Sequence, residues 1–259
     1  MSQNYTLGRG RVLLGLSSSL STPLFRYFGH TTEFNINFEE NTLDHWNMDQ
    51  KIKEKDEQVT LEVTRAGSLI TDHISPENVA AFILGTASTI ASSAGAATPE
   101  AFTAVLPDQF IQLGASATNP GGVKGVASVV ITETSSDPLV TFTAGTDYEL
   151  IAPFGMFRVI PTGSMVGKNV SVAYSTTAHT RDRIISGRTS WEGPIKFISD
   201  NTTGANRQWF IPRGKLRANG DFALKGDEWQ TLSFAIEVLK PAQSEFEAIY
   251  IDGVPVITP

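Results

Sequence analysis

The sequence predicts a mainly β protein with one short helix. Apolar and polar residues alternate over residues 32–39, 58–65 and 229–239, which is the period of a strand with one buried face. The chain contains 22 glycines and 13 prolines, and Asn-Gly and Gly-Asp pairs stand between several short apolar runs. Such pairs supply the positive φ that tight turns need. Strong helix signals occur over residues 75–85.

The N-terminal part is predicted to contain four strands. Residues 11–16 and 24–28 are two short candidates on either side of a Ser-rich linker. Residues 32–39 and 58–65 are two longer candidates, and their matching alternation predicts that they pair with each other.

Residues 40–57, between those two strands, predict a long projecting loop. The segment is polar and charged, yet it holds Leu43, Trp46 and Met48. Loops of this length are uncommon in compact domains and are usually functional or disordered. We therefore expect these three side chains to be buried against a partner, and the alternative is a loop folded back on its own domain. Lys51, Lys53 and Lys55 are expected either to meet acidic groups of a neighbouring subunit or to be simply solvated.

One helix is predicted after the second long strand. Ser75 is a candidate N-cap, Pro76 occupies the first helical position, and Glu77 suits the positive end of the helix dipole. Gly85 is expected to end the helix in a left-handed conformation. Residues 86–98 are almost entirely Ala, Ser, Thr and Gly, which predicts a flexible connection.

The middle of the chain is predicted to be an inserted β module. Short apolar runs at regular spacing, separated by Gly and Pro turns, are typical of a small sandwich or barrel. The predicted organisation is a core formed by residues 1–106 and 181–259, with residues 107–180 inserted. The candidate strands of the module are residues 127–132, 139–143, 148–151, 156–160 and 170–174.

The C-terminal part is predicted to be a meander of short strands with one apolar face. In its last strand Leu232, Phe234 and Ile236 alternate with Ser233 and Glu237. The preceding candidates are residues 195–199, 207–211, 215–216 and 222–224.

Composition excludes several classes of function. The formal net charge is -7, so tight nucleic-acid binding, which needs clustered Lys and Arg, is not expected. There are no cysteines, hence no disulfides or thiolate sites. Neither a secretory signal nor an apolar run long enough to cross a bilayer is found, so membrane insertion is not expected. The four histidines are scattered and no nucleophile elbow occurs, so we expect neither an enzyme nor a cofactor.

Motifs at both ends of the chain carry a family resemblance. The N-terminal motifs are Tyr5-Thr-Leu-Gly-Arg-Gly-Arg-Val, Phe28-Gly-His-Thr-Thr-Glu-Phe-Asn-Ile and Asp72-His-Ile-Ser-Pro-Glu-Asn-Val-Ala-Ala-Phe-Ile-Leu-Gly, and the C-terminal ones are Ile195-Lys-Phe-Ile-Ser-Asp-Asn, a strand ending in Pro212, Asn219-Gly-Asp-Phe-Ala-Leu-Lys-Gly-Asp-Glu-Trp-Gln and Ile249-Tyr-Ile-Asp-Gly. In this order along the chain, they resemble the major tail (tail tube) proteins of long-tailed, siphovirus-type bacteriophages.

The resemblance implies a fold of two packed antiparallel sheets and a structural role in the virion tail. Subunits would form rings, usually of six, that stack into a hollow tube for DNA ejection and are assembled in the bacterial host cytoplasm. The implied partners are further copies of the chain, a tape measure protein in the lumen, and the tail terminator and distal tail or baseplate proteins. DNA would pass without specific binding.

Alternation then assigns residues to the two faces of the tube wall, taken as residues 32–39, 58–65 and 229–239. The candidate ring-stacking residues are Leu43, Trp46, Met48, Lys51, Lys53 and Lys55. The face towards the subunit core is predicted to hold Phe34, Ile36, Leu61, Leu232, Phe234 and Ile236. The face towards the channel is predicted to hold Glu33, Asn35, Glu62, Ser233 and Glu237.

Two other functions remain open at this point. The first is a tube protein of the type VI secretion machine, which also assembles from stacked rings but has a shorter chain. The second is a carbohydrate-binding or decoration module of a virion, which exposed Trp side chains along a groove would favour.

Overall fold

The computed structural model describes residues 5–15, 24–49, 51–135, 139–243 and 245–255, and counts of elements refer to these residues. The protein is mainly β, as predicted. The linker predicted at residues 17–22 lies outside the described residues. The single α-helix, α1, has seven residues, too few to cross a bilayer. The elements are β1 Gly10–Gly15, β2 Phe25–Tyr27, β3 Thr31–Asn47, β4 Glu54–Thr71, α1 Pro76–Phe82, β5 Gly85–Ser92, β6 Gly95–Ala96, β7 Glu100–Phe102, β8 Phe110–Gln112, β9 Val126–Glu133, β10 Thr141–Phe142, β11 Tyr148–Ile151, a 3-10 helix Ala152–Phe154, β12 Met156–Val159, β13 Val170–Thr176, β14 His179–Ser186, β15 Trp191–Ser199, β16 Arg207–Ala218, β17 Leu232–Val238 and β18 Tyr250–Gly253.

The chain forms two compact units. The first, the outer unit, comprises Met1–Ser88 with Arg183–Pro259, and the second, the inserted unit, comprises Thr89–Asp182. The inserted unit begins earlier than the predicted boundary at residue 107, because β6 and β7 both pair with β13.

The outer unit contains one antiparallel sheet in the order β2-β1-β15-β16-β17-β4-β3, with β18 also paired to β16. The sheet bends at a bulge where Gly193 pairs with Gly214 and Ile195 with Ile211. At that point β16 changes partners, from β18 to β17. A strand that switches layers at a bulge makes a corner between two packed sheets. The predicted two layers are therefore parts of one folded sheet.

Aromatic packing confirms that the two layers face each other. Phe34 on β3 stacks on Phe197 on β15 with 5.5 Å between ring centroids. Three strands separate β3 from β15 in the sheet, so a flat sheet would hold them about 19 Å apart at ~4.8 Å per strand. Leu69, Phe234, Ile195 and other residues of both layers lie in one buried cluster between them.

The predicted loop at residues 40–57 is wrong. β3 continues to Asn47 and β4 begins at Glu54, and the two strands stay paired with bulges along the way. We call residues 39–63, the distal part of this hairpin, the ribbon. The backbone hydrogen bonds of residues 40–47 and 54–57 need no hydrophobic alternation, which is why the sequence pattern did not reveal these parts of the two strands.

The helix forms as predicted, but its surroundings differ. Ser75 Oγ accepts a hydrogen bond of 3.2 Å from the backbone N–H of Asn78. The residue with positive φ after the helix is Leu84, not Gly85. Gly85 opens β5, where an added Cβ would lie 2.8 Å from the Ile185 carbonyl oxygen. The flexible connection predicted at residues 86–98 is also wrong, because β5 and β6 occupy most of it.

The C-terminal strands are fewer and longer than predicted. Residues 207–211 and 215–216 belong to one strand, β16, which runs through Pro212 at the corner bulge. Residues 222–224 are not a strand. Leu232–Val238 forms the last strand of the apolar meander, with every second residue buried as predicted.

The inserted unit has a core of its own. One sheet has the order β10-β9-β13-β6, with β7 also paired to β13, and the other has the order β11-β12-β8. Ile131 and Val172 from the first and Phe157 and Tyr148 from the second share one buried cluster. All five strands predicted for this module are present within two residues of their predicted bounds, and they form a small sandwich.

Candidate assembly surface

The outer edge of β3 is the longest open strand edge of the outer unit. β3 is a terminal strand of the folded sheet, paired to β4 on one side, and within the described residues no strand pairs with its other side. The edge is 17 residues long. A long unpaired edge is a template for another strand, which isolated proteins normally avoid.

The ribbon next to this edge exposes the three apolar side chains predicted for ring stacking. Leu43 is 61% exposed, Trp46 43% and Met48 66%. None of them therefore belongs to the core of its own unit, which removes the alternative of a loop folded back on its domain. Whether they are covered by a neighbouring subunit stays a prediction.

The ribbon is also acidic, with eight Asp and Glu residues against three lysines. Lys51 and Lys53 are exposed near its tip. Lys55 differs from them, because its Nζ lies 2.6 Å from Asp44 Oδ1 on the facing strand. Part of the predicted basic cluster is thus already neutralised within the chain.

One carboxylate of the ribbon has a perturbed acidity. His45 Nδ1 and Asp56 Oδ1 are 2.6 Å apart. This hydrogen bond lowers the pKa of Asp56 below its ordinary value. Both groups are exposed to solvent, so the pair contributes little to the stability of the fold.

The five residues predicted to face the channel lie on one face of the sheet, which we call the wall face. Glu33 and Ser233 both pair with Ile70, while Asn35 pairs with Ser68. Glu237 pairs with Ala66. Residues at the same level of neighbouring strands point to the same side, and Glu62 continues that side along β4 into the ribbon.

Sequence analysis missed two basic residues of the wall face. Lys215 pairs with Glu237 across the β16–β17 ladder, and Arg217 pairs with Ala235. Arg217 Nη2 lies 2.6 Å from Glu237 Oε2, and Lys215 Nζ lies 4.0 Å from Glu192 Oε1. The buried Leu216 between two polar neighbours is the alternation that would have revealed them, had the strand been drawn to Ala218.

The predicted core face of the wall is confirmed except at Leu61. Leu232, Phe234 and Ile236 are buried, and Phe34 and Ile36 pack against the same cluster. Leu61 is 61% exposed, because it lies in the ribbon, where no second layer covers the strand.

A further exposed aromatic residue lies outside the ribbon. Trp229 is 94% exposed and Leu224 80% exposed in the segment before β17. The two side chains line a shallow groove together with Asp72 and Asp221.

The comparison with protein families covers nearly the whole chain. A family model described as "Protein of unknown function UCP028589" matches residues 5–246. The chain belongs to this family. The matched region includes the ribbon, the wall face and the inserted unit. No curated protein matches the chain.

Proposed function

We propose that the protein is a structural subunit that assembles into rings, six copies in each, which stack into the hollow tube of a bacteriophage tail. The observation that carries the proposal is the open outer edge of β3, continued by a ribbon whose apolar side chains face solvent. Both features are costly in an isolated protein and useful in an assembly.

Ring formation follows from the open edge. A heterologous contact repeated around an axis closes into a ring when the rotation per subunit divides a full turn. Pairing the β3 edge of each copy with a strand of the next would join the wall layers into one continuous barrel, which leaves no edge. The wall face would then line the bore.

The wall face suits a conduit for DNA. Lys and Arg side chains bind phosphate and release counterions, so free cations in the bore would retain the genome. Arg217 has a carboxylate partner in Glu237, and Lys215 shares Glu192 with Arg213, whose Nη2 lies 3.1 Å from Glu192 Oε2. Small side chains occupy the same levels on the neighbouring strands, with Ala235 and Ser68 level with Arg217 and Ala66 level with Lys215.

This function places the protein in the virion tail. Its partners would be further copies of itself, a tape measure protein within the bore, and the terminator and distal tail proteins at the two ends of the tube.

Negative-stain electron microscopy of the purified chain at increasing concentration tests the proposal. Rings or tubes with a central bore are expected at high concentration, and tubes bound to no DNA are expected when DNA is added at physiological salt. Monodisperse monomers at every concentration, measured in parallel by sedimentation velocity, would reject it.

A glycan-binding function is the second candidate, and Trp229 favours it. An exposed indole in a groove with carboxylates nearby is a surface on which a sugar ring can stack. A glycan array read out with the wild type and with Trp229→Ala separates this candidate from the first, because tube formation does not need the groove.

A further inference from the structure

A groove of about 670 Å³ lies between the N-terminal segment of β1 and the open edge of β3. Its apolar lining comes from aromatic side chains of both layers, namely Phe34, Phe197 and Trp209. Arg9 and Arg11, both exposed, lie on the β1 side of the groove, and the acidic residues Glu33 and Asp200 also line it. Within the described residues neither arginine has an ion pair.

The backbone beside the arginines also points into the groove. The carbonyl of Arg9 accepts a hydrogen bond from the N–H of Asp200, on the side of β15. Backbone groups of successive strand residues point to opposite sides, so those of Gly8 and Gly10 point away from β15. In the described part of the chain, β2 pairs with Leu13–Gly15 and not with the start of β1. Within the described residues, no backbone hydrogen bond is found for Gly8 or Gly10 on the groove side.

The groove therefore has one open main-chain wall, residues 8–10, above an aromatic floor, whereas its other wall is the β3 edge proposed above for ring closure. An extended segment placed there would gain main-chain hydrogen bonds and cover apolar surface, as in β-strand addition. Where such a segment passes Arg9 and Arg11, an acidic side chain would be favoured over a basic one.

The ribbon has each property that this groove requires. It carries eight acidic residues against three lysines, and Glu54 and Glu57 have no ion pair within the described residues. Leu43, Val59 and Leu61 are more than half exposed. Its two long edges have no strand partner among the residues that the structure describes, because β17 pairs with β4 only from Ala66 onwards.

A ribbon cannot enter the groove of its own chain. β3 forms one wall of the groove and continues without a break into the ribbon, paired to β4 along its length. The ribbon therefore leads away from the groove, and its occupant must come from another molecule.

We propose that the groove between β1 and β3 receives the ribbon of a second copy of this chain, with Arg9 and Arg11 against the acidic side chains of the ribbon. This deepens the proposed tube function, on which it rests, by naming the receiving surface for ring stacking. Groove and ribbon are different surfaces, so the contact is head-to-tail and adds copies without limit along one direction. The ribbon from Glu39 to Asn47 reaches about 26 Å at ~3.3 Å per residue.

Cross-linking between single-cysteine variants tests the contact, and the natural chain has no cysteine to interfere. Gly8→Cys is mixed in turn with Leu43→Cys, Val59→Cys and Leu61→Cys and treated with a short bismaleimide. A Cβ at Gly8 meets no atom within 4 Å, and the three ribbon positions are exposed. The matched control is Gly226→Cys, another glycine with open space, mixed with the same partners.

A cross-linked dimer is expected for at least one ribbon position with Gly8→Cys and only at collision level with Gly226→Cys. Arg9→Glu with Arg11→Glu is expected to lower the yield at least about tenfold. Glu54→Lys with Glu57→Lys in the partner molecule should restore much of it. Thermal unfolding of each variant checks that the fold is retained, since all four charged residues are exposed.

The outcomes separate this proposal from the tube function. Tubes without any Gly8 cross-link above the control overturn the groove contact and leave the tube function standing. Specific cross-linked dimers without rings or tubes support the groove contact and reject the tube. Monomers that neither assemble nor cross-link overturn both, and charge reversal without effect on the yield overturns the role of the arginines.

Discussion

The proximal and distal parts of one hairpin, β3–β4, differ in what covers them. Near the base, Phe34 and Leu69 are paired neighbours and pack into the core between the two layers. In the ribbon, Leu43 and Val59 are paired in the same way but face solvent. Strand pairing is equal in the two parts, so the difference lies in the second layer. The base stabilises the fold, and the ribbon is available for association.

Matched leucines on β4 provide the most direct test of this difference. Leu69 is 0% exposed and Leu61 is 61% exposed on the same strand. Leu69→Ala is expected to lower the free energy of unfolding by roughly 2–5 kcal/mol, through lost burial and a residual cavity. Leu61→Ala should change it by less than about 0.5 kcal/mol. Urea unfolding of both variants gives the two values. Equal losses would mean that the ribbon is covered within its own molecule.

Replacing the ribbon tryptophan tests what the distal part is for. Trp46→Ala is expected to leave a folded subunit that no longer forms tubes, because a large aromatic anchor is lost from the contact. A tenfold or greater rise in the concentration needed for assembly, about 1.4 kcal/mol or more, is expected. Trp229→Ala is the control, since that side chain is still more exposed but lies outside the ribbon. Normal tubes from Trp46→Ala would reject the stacking role.

The wall face at the base makes a further contrast with the ribbon. Glu237→Gln removes the carboxylate partner of Arg217 and leaves a free cation on the proposed lining. We expect weak DNA binding that disappears as salt rises, measured by fluorescence anisotropy on assembled tubes. Glu62→Gln is the matched control, because Glu62 is on the same face and has no ion pair within the described residues. Similar binding by both variants would argue against Arg217 as the cause.

Two carboxylates with lowered pKa values, Asp147 in the inserted unit and Asp56 in the ribbon, are expected to differ in how their substitution changes stability with pH. The oxygens of Asp147, in the inserted unit, accept backbone N–H groups of Thr143 and Ser164 and the Ser164 hydroxyl, which lowers its pKa. A carboxylate whose pKa is lower in the folded than in the unfolded chain stabilises the fold at pH values above its unfolded-state pKa, about 3.9. This stabilisation is lost as the pH falls through the folded-state pKa. Asp147→Asn is therefore expected to lower the free energy of unfolding by about 1 kcal/mol at pH 7. The loss is expected to disappear at a pH where Asp147 is protonated in both the folded and the unfolded chain.

Asp56 also has a lowered pKa, but it lies exposed in the ribbon. Asp56→Asn should leave the unfolding free energy unchanged between pH 7 and pH 3. Urea titrations at several pH values compare the two substitutions, and a pH-dependent loss in Asp56→Asn would show that the ribbon contributes to the stability of the fold.

Sequence patterns located most strands but not their lengths. Alternation in residues 229–239 identified the buried face of β17, because one side of that strand rests on a core. The ribbon residues 40–47 and 54–57 were missed as strands, since they are mostly exposed and their sequence carries no regular alternation, whereas residues 58–63 were predicted from theirs. Pro212 suggested a strand end, yet β16 continues through it because the corner bulge does not need its N–H. The grouping of the wall face was predicted, whereas the basic residues on it were not.

The sequence by itself determined the mainly β fold, the capped helix and the two faces of each half-buried strand, because these depend on local spacing and turn chemistry. Only the tertiary structure decided which strands share a layer, where the sheet folds over, and which edge is left open. Those features depend on pairings between residues far apart in the chain, such as Arg207–Ala218 with β15, β17 and β18. Local patterns do not encode such pairings, since any strand of suitable alternation can pair with several others.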